Sequence, residues 1–179
     1  MKNNPLFTDV TYYEGTEIEE IGWDWFTKSG RSIMQFKKGS QSLYSVRPNF
    51  TARFKLSEVV ANFGTPDYVE AGAVLDVTNT QRNKYWLAFI YLGTGLIVVS
   101  NNINTLPVLN DPALLIDDVY FIYPSVEGYE AMYGKGALRF LVPWQGYKDF
   151  LFYCRDPYGD GQKDCNWIVS RLATATPTK

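Results

Sequence analysis

The sequence predicts an α+β fold, in which one antiparallel β-sheet of four or more strands carries short helices packed on one face. Two observations within residues 56–100 lead to this prediction. Leu56, Val59, Val60 and Phe63 recur with the 3.6-residue period of an amphipathic helix. Directly after them, three segments rich in β-branched and aromatic residues follow one another at strand length.

The predicted helix ends at a clear stop signal. Gly64 follows the last apolar residue, where glycine adopts a positive φ at least cost, and Pro66 cannot extend the helix. A helix of about two turns is too short to be stable alone in water. We therefore expect its apolar stripe to be buried on the sheet, with Phe63 as a core anchor.

The three predicted strands are Tyr68–Val77, Lys84–Leu92 and Leu96–Ser100. Gly93 to Gly95 form a turn signal, so the second and third strands are expected to pair as a hairpin. The second strand alternates between one face with Tyr85, Leu87, Phe89 and Tyr91 and another with Trp86, Ala88, Ile90 and Leu92. The pattern predicts a central strand that is buried on one face and presents large aromatic side chains on the other.

The remaining segments are weaker signals. Residues 1–13 are predicted to be a loose N-terminal arm with one short extended piece, residues 14–20 an acidic solvated turn, and residues 173–179 a frayed tail. Further strands are expected at residues 32–36, 42–46, 117–123 and 137–142, and a short helix at 125–133. Residues 144–153 fit either a helix or a strand, and Pro143 favours the helix.

Composition limits the classes of function. A chain of 179 residues is predicted to be one domain, residues 1–179, which buries roughly 70% of its unfolded surface. The net charge of −2 offers no basic field, which argues against nucleic-acid binding. No apolar run reaches the ~18 residues of a membrane-spanning helix.

The segments LSEVVANFGTPDYV, YWLAFIY and GLIVV carry a resemblance. A short helix that ends in Gly-x-Pro-Asp before an antiparallel meander resembles the SmpA/OmlA outer-membrane lipoproteins and the related β-lactamase inhibitor protein module. The resemblance covers about a quarter of the chain, and those modules usually place two helices before the sheet. It implies a helix-on-sheet layout and a non-enzymatic, protein-binding role.

The two cysteines bear on the compartment. Cys154 and Cys165 enclose a polar, turn-rich segment, and a disulfide between them would stabilise the fold by about 3 kcal/mol. The alternative is two buried free thiols. The N-terminus lacks the apolar region of a signal peptide, so either the protein is cytosolic or its signal, with any lipid anchor, is absent from this chain. The predicted disulfide favours an extracytoplasmic location.

The sequence excludes several kinds of chemistry. It has no histidine, so nucleophilic triads and histidine-bearing zinc sites in their usual forms are ruled out. Asp117 and Asp118 are adjacent, so on a strand they would point to opposite faces and could not act together as a glycosidase pair. Asp156, Asp160 and Asp164 partly fit a calcium loop, but two of its ligand positions hold Tyr158 and Trp167, and a polar turn inside a disulfide loop explains the same residues. We predict no cofactor.

Binding is therefore the predicted function: a non-catalytic, extracytoplasmic protein-interaction module with an unknown protein partner. The alternatives are a carbohydrate-binding module or a carboxylate-dependent enzyme acting on glycans. Tyrosine and tryptophan contribute disproportionately to interface energy. The candidate binding surface comprises Trp23, Trp25, Tyr85, Trp86, Tyr91 and Tyr120. For Trp23 and Trp25, a hydrophobic plug over one end of the sheet is the competing interpretation.

Overall fold

A computed structural model of the protein describes residues 7–15, 18–25, 31–39, 43–49, 53–74, 83–103 and 113–154. The strands within these ranges are β1 (Phe7–Glu14), β2 (Ile18–Trp25), β3 (Arg31–Lys37), β4 (Leu43–Arg47), β5 (Phe54–Lys55), β6 (Tyr68–Val74), β7 (Lys84–Tyr91), β8 (Leu96–Ile103), β9 (Leu115–Ile116), β10 (Asp118–Ile122) and β11 (Val142–Pro143). The helices are α1 (Leu56–Phe63), α2 (Val126–Tyr133) and α3 (Phe150–Tyr153), with a 3-10 turn at Ala137–Phe140.

In the described part of the chain, nine strands form one antiparallel sheet in the order β1-β2-β3-β4-β10-β8-β7-β6-β11. A separate pair joins β5 to β9. The α+β class and the antiparallel sheet of more than four strands are thus confirmed. The sheet is not a simple meander, because β10 is inserted between β4 and β8.

The central strands are covered on both faces. Leu87 and Phe89 belong to an apolar cluster that includes α1 and α3, whereas Ala88 and Ile90 belong to a second cluster that includes Tyr129 of α2. This division follows the alternation of side chains along β7. The expectation that the helices share one face is therefore not confirmed.

Helix α1 begins and ends where the sequence predicts. Its N-terminus is closed by Glu58, whose carboxylate accepts a hydrogen bond from the Lys55 backbone N–H at 2.8 Å. At the other end Gly64 has φ of 81° and donates its N–H to the carbonyl of Val60. Asp67, which follows the helix, links it to the β7–β8 hairpin. Its carboxylate accepts a hydrogen bond from the backbone N–H of Leu92 at 2.7 Å.

Phe63 contradicts the prediction of a core anchor. Leu56 and Val59 of the same stripe are buried, but Phe63 is 52% exposed. Leu56 and Val59 bring the N-terminal part of the helix into contact with the sheet. Phe63 is the last residue of this eight-residue helix, and its side chain extends past that contact. Its ring meets the ring of Tyr91 on the sheet at 6.4 Å between ring centroids.

The N-terminal predictions are also corrected. Residues 7–14 form β1, where an arm with one short extended piece was expected, and β2 begins at Ile18, inside the solvated turn predicted at 14–20. The two strands pair with each other, and β2 pairs in turn with β3. Charged side chains such as Glu19 and Glu20 hid the strand pattern, and the cross-strand pairing overrides their weak β-propensity. The predicted frayed tail lies outside the described residues.

Two C-terminal predictions also differ from the structure. The segment predicted as a strand at 137–142 begins instead with the 3-10 turn, because Gly136 has φ of 80° and breaks the extended chain. Within 144–153 only Phe150–Tyr153 is helical, with its N-terminus capped by Asp149. The loop before α3 is held by Tyr153, the last residue of that helix. Its hydroxyl donates to the carbonyl of Gly146 at 2.7 Å and accepts a hydrogen bond from the backbone N–H of Gln145 at 2.8 Å.

Candidate functional site

An apolar groove of about 280 Å³ lies between α1 and the sheet. Its floor consists of Leu96 and Val98 from β8 and Val119 from β10, all of them buried. The strand register explains this floor, because Val119 lies directly opposite Val98 in the antiparallel pair and side chains opposite one another share a face.

Aromatic side chains line the groove and remain exposed. Phe63 stands on the helix side, and Phe121 of β10, opposite Leu96, stands on the sheet side with 42% of its surface exposed. Phe54 of β5 adds a third exposed ring. Together they expose apolar surface around a concave site, an arrangement found where proteins dock other molecules.

The polar side chains of the groove are engaged within α1 itself. Glu58 caps the helix N-terminus, and the amide of Asn62 donates to the carbonyl of Glu58 at 2.7 Å. The groove therefore offers a bound group burial and van der Waals contact more than hydrogen bonds. Its volume lies near the lower end of the roughly 300–1,000 Å³ of small-molecule pockets, which suits one or two inserted side chains.

The groove continues into a row of apolar side chains across the sheet. Leu96 faces Phe121, Phe121 faces Val46, and the register carries the row on through Met34, Ile21 and Tyr12 to the edge strand β1. We call these six residues the apolar row. Leu96 is buried, the middle residues are partly exposed, and Tyr12 is 54% exposed.

On the opposite face of β2, β3 and β4, several polar side chains bond to one another or to β10. The hydroxyl of Ser45 donates to the Gln35 side-chain oxygen at 2.8 Å, and the Gln35 amide donates to Glu20 at 3.3 Å. Arg47 of β4 bonds to the Asp118 carboxylate at 2.6 Å and lies over the ring of Tyr120. The outer half of the sheet is thus amphipathic, with its apolar side continuous with the groove.

The predicted binding surface is corrected at two positions. Tyr85 and Tyr91 are only 3% and 4% exposed and belong to the cluster beneath α1 and α3, so this fold does not offer them to a partner. Trp86 and Tyr120 are partly buried on the opposite face, where the Trp86 ring lies against Gly72 in space that a Cβ would fill. The six residues therefore do not form one surface.

Some predicted positions lie beyond what the structure describes. Trp23 and Trp25 lie on β2, but their side chains are outside the described residues. Cys154 is buried, while Cys165 and the calcium candidates Asp156, Asp160 and Asp164 are outside the described residues. The disulfide and the calcium alternative therefore stay predictions. In the ranges that are described, no group of three or more acidic or cysteine residues could hold a metal ion.

The adjacent aspartates bind separate partners. Asp117 pairs with Arg53 at 3.1 Å and accepts from the backbone N–H of Asn101, and Asp118 pairs with Arg47. Each carboxylate is thus committed to its own ion pair. Two carboxylates that flank a glycosidic bond must instead leave room for the substrate between them.

Tyr91 carries an unusual polar group. Its hydroxyl is buried, and in the described part of the chain it has no hydrogen-bond partner. Burial, reinforced by the nearby Tyr147 and Asp67, raises the pKa of Tyr91 to about 12. The neutral phenol is thus strongly preferred in the folded state.

Sequence reasoning missed Phe63 and Phe121 as exposed groove residues. For Phe121 a signal existed, because alternation along the predicted strand places Val119 and Phe121 on the face opposite Tyr120. The groove forms on the face where α1 packs, and the packing position of α1 on the sheet is not predicted by local sequence patterns.

No protein-family model, curated protein or solved structure matches the chain. Among the described residues, none of the helices has the length and apolar character needed to cross a bilayer.

Proposed function

We propose that this chain is a non-catalytic protein-interaction module that accepts apolar side chains of a protein partner in the groove beside α1. The observation that carries the proposal is the pair of half-exposed rings, Phe63 and Phe121, on either side of a buried aliphatic floor. Burying one large apolar side chain there would contribute about 1.5–3 kcal/mol. The alternative of sugar stacking is weakened by the burial of Tyr85 and Tyr91.

The proposal includes an extracytoplasmic location. Its support is the pair Cys154 and Cys165, separated by a segment with Pro157, Gly159 and Gly161 that can reverse direction sharply. A relationship to the SmpA/OmlA lipoproteins, with a lipid anchor outside this chain, belongs to the same proposal. It rests on the short helix, its Gly-Thr-Pro-Asp stop and the hairpin that follows.

Peptide selection tests the groove directly. Random 12-residue peptides displayed on phage are selected against the whole chain, and the best are synthesised and titrated by fluorescence anisotropy. We expect peptides with aromatic or aliphatic anchors whose binding weakens by about 30-fold in Phe63→Ser and Phe121→Ser, the effect of a typical hot-spot residue.

Val126→Ser provides the matched control. Val126 is 40% exposed like the groove residues but begins α2, on the other face of the sheet. It should leave peptide binding within about twofold, since surface changes outside an interface cost little. A selection that yields no binder, or binders equally affected by all three substitutions, would contradict the proposed function.

A further inference from the structure

We propose that the partner presents a basic amphipathic helix, which lies along the apolar row from the groove to the edge strand β1. This inference rests on the proposed function and names the chemistry of the partner. It follows from three features of the same sheet face: the length of the apolar row, the helix layer that α1 begins, and the charge at the far end.

The length of the row suits a helix. It crosses six neighbouring strands, β8, β10, β4, β3, β2 and β1. With strands about 4.8 Å apart the row measures about 24 Å, the length of a helix of about 16 residues. A helix satisfies its own backbone hydrogen bonds, so it can cover an apolar sheet face without leaving polar groups unpaired.

A helix on the apolar row would lie in the same layer as α1, which already packs on this face of the sheet. Helix α1 covers this face above the groove, whereas α2 packs on the opposite face. Of the helices in the described ranges, none makes an extensive contact with β1, β2 or β3. A partner helix would continue the layer that α1 starts and would bury the partly exposed middle of the row.

Charge at the end of the row selects a basic partner. Glu14 of β1 lies directly opposite Glu19 of β2, and both share a face with Tyr12 and Ile21 because they are two residues along the strands. Like charges placed directly opposite one another destabilise a strand pair. A positively charged side chain of the partner would neutralise Glu14 and Glu19, which would explain why the two carboxylates lie opposite one another.

Lys38 forms an ion pair with Glu14 but does not neutralise the combined charge of Glu14 and Glu19. Lys38 bonds to Glu14 at 2.9 Å, while the Glu19 carboxylate accepts a hydrogen bond from the neutral backbone N–H of Gly39 at 3.3 Å. Two carboxylates and one ammonium leave one negative charge beside the row. At the groove end Glu58 adds another. A lysine or arginine at either end of the partner helix would meet a carboxylate.

Designed peptides test the inference on the whole chain. Two 18-residue peptides share one leucine stripe and differ only in the polar face, which is lysine in one and glutamate in the other. We expect the lysine peptide to bind at least tenfold more tightly at low salt, with the preference shrinking at 0.5 M salt, where screening is strong. Equal binding of the two peptides would overturn the inference.

Three variants locate the bound peptide. Glu14→Gln with Glu19→Gln should weaken the lysine peptide by about threefold, as expected for one ion pair near the surface, and Met34→Gln should weaken both peptides while keeping the side-chain volume. Glu20→Gln, on the opposite face, is the control and should change neither. Circular dichroism of each variant identifies any that fails to fold, and amide shift changes of the wild-type chain then locate the peptide independently.

The outcomes separate this inference from the proposed function. If Phe63→Ser weakens binding but the row variants do not, the groove acts alone and the helix inference is wrong. If only the row variants matter, the partner does not use the groove, and both the proposed function and a helix that starts in the groove are overturned. If the chain instead dimerises and Met34→Gln makes it monomeric, a second copy covers the row and the inference is overturned.

Discussion

The ring of Phe63 lies 6.4 Å from the ring of Tyr91, yet Phe63 is 52% exposed and Tyr91 only 4%. The two residues meet where the end of α1 passes over the last residue of β7. One aromatic side chain thus completes the core, and its neighbour forms the wall of the groove. Their different environments lead to opposite expectations for substitution.

Phe63→Ala should destabilise the fold by only about 1 kcal/mol, because half of the side chain is already in water. Leu56→Ala, at a fully buried position of the same stripe, should cost about 2–5 kcal/mol. Chemical denaturation of the two variants measures the difference. A loss for Phe63→Ala as large as that for Leu56→Ala would mean that Phe63 belongs to the core.

Tyr91→Phe should leave stability at pH 7 unchanged or raise it by about 1 kcal/mol. The substitution removes a buried hydroxyl that lacks a hydrogen-bond partner in the described part of the chain, so no bond is lost and a desolvation cost disappears. Thermal denaturation measures the effect. A clear loss of stability would reveal that the hydroxyl has a partner.

The same variant has a pH signature. The pKa of Tyr91 is raised to about 12 in the folded state from an ordinary value of 10.0, so its contribution is complete below pH 10 and is lost as pH rises through 12. Wild-type stability should fall more steeply over this range than that of Tyr91→Phe. Parallel curves for the two proteins would contradict the raised pKa.

Gly64→Ala should destabilise the fold by about 1 kcal/mol. Gly64 has φ of 81° with no atom within 4 Å of an added Cβ, so the cost would come from the backbone conformation alone. Gly93 is the matched control, since it is equally open but lacks a positive φ. Equal stability of Gly64→Ala and Gly93→Ala would argue against the positive φ.

Mass spectrometry of the unreduced, alkylated protein tests the predicted bond between Cys154 and Cys165. We expect no alkyl group to be added before reduction and two to be added after it. A disulfide would support maturation outside the reducing cytosol. Two alkyl groups added without reduction would mean free thiols and would remove the main support for an extracytoplasmic location.

The sequence by itself determined the local elements of this protein. The period of Leu56 and Val59, the stop at Gly64 and the hairpin around Gly93 are short-range signals, and α1, β7 and β8 lie where those signals place them. Each depends on backbone preferences and side-chain spacing within about ten residues, which the chain carries whatever its tertiary context.

Only the tertiary structure decided which apolar residues stay exposed. Tyr91 is buried because helices cover both faces of the central strands, whereas Phe121, on the strand β10 that is inserted between β4 and β8, stays 42% exposed at the groove beside α1. Strand order and helix placement are set by contacts between residues far apart in sequence, which local periodicity does not encode. The groove and the apolar row exist through those long-range contacts.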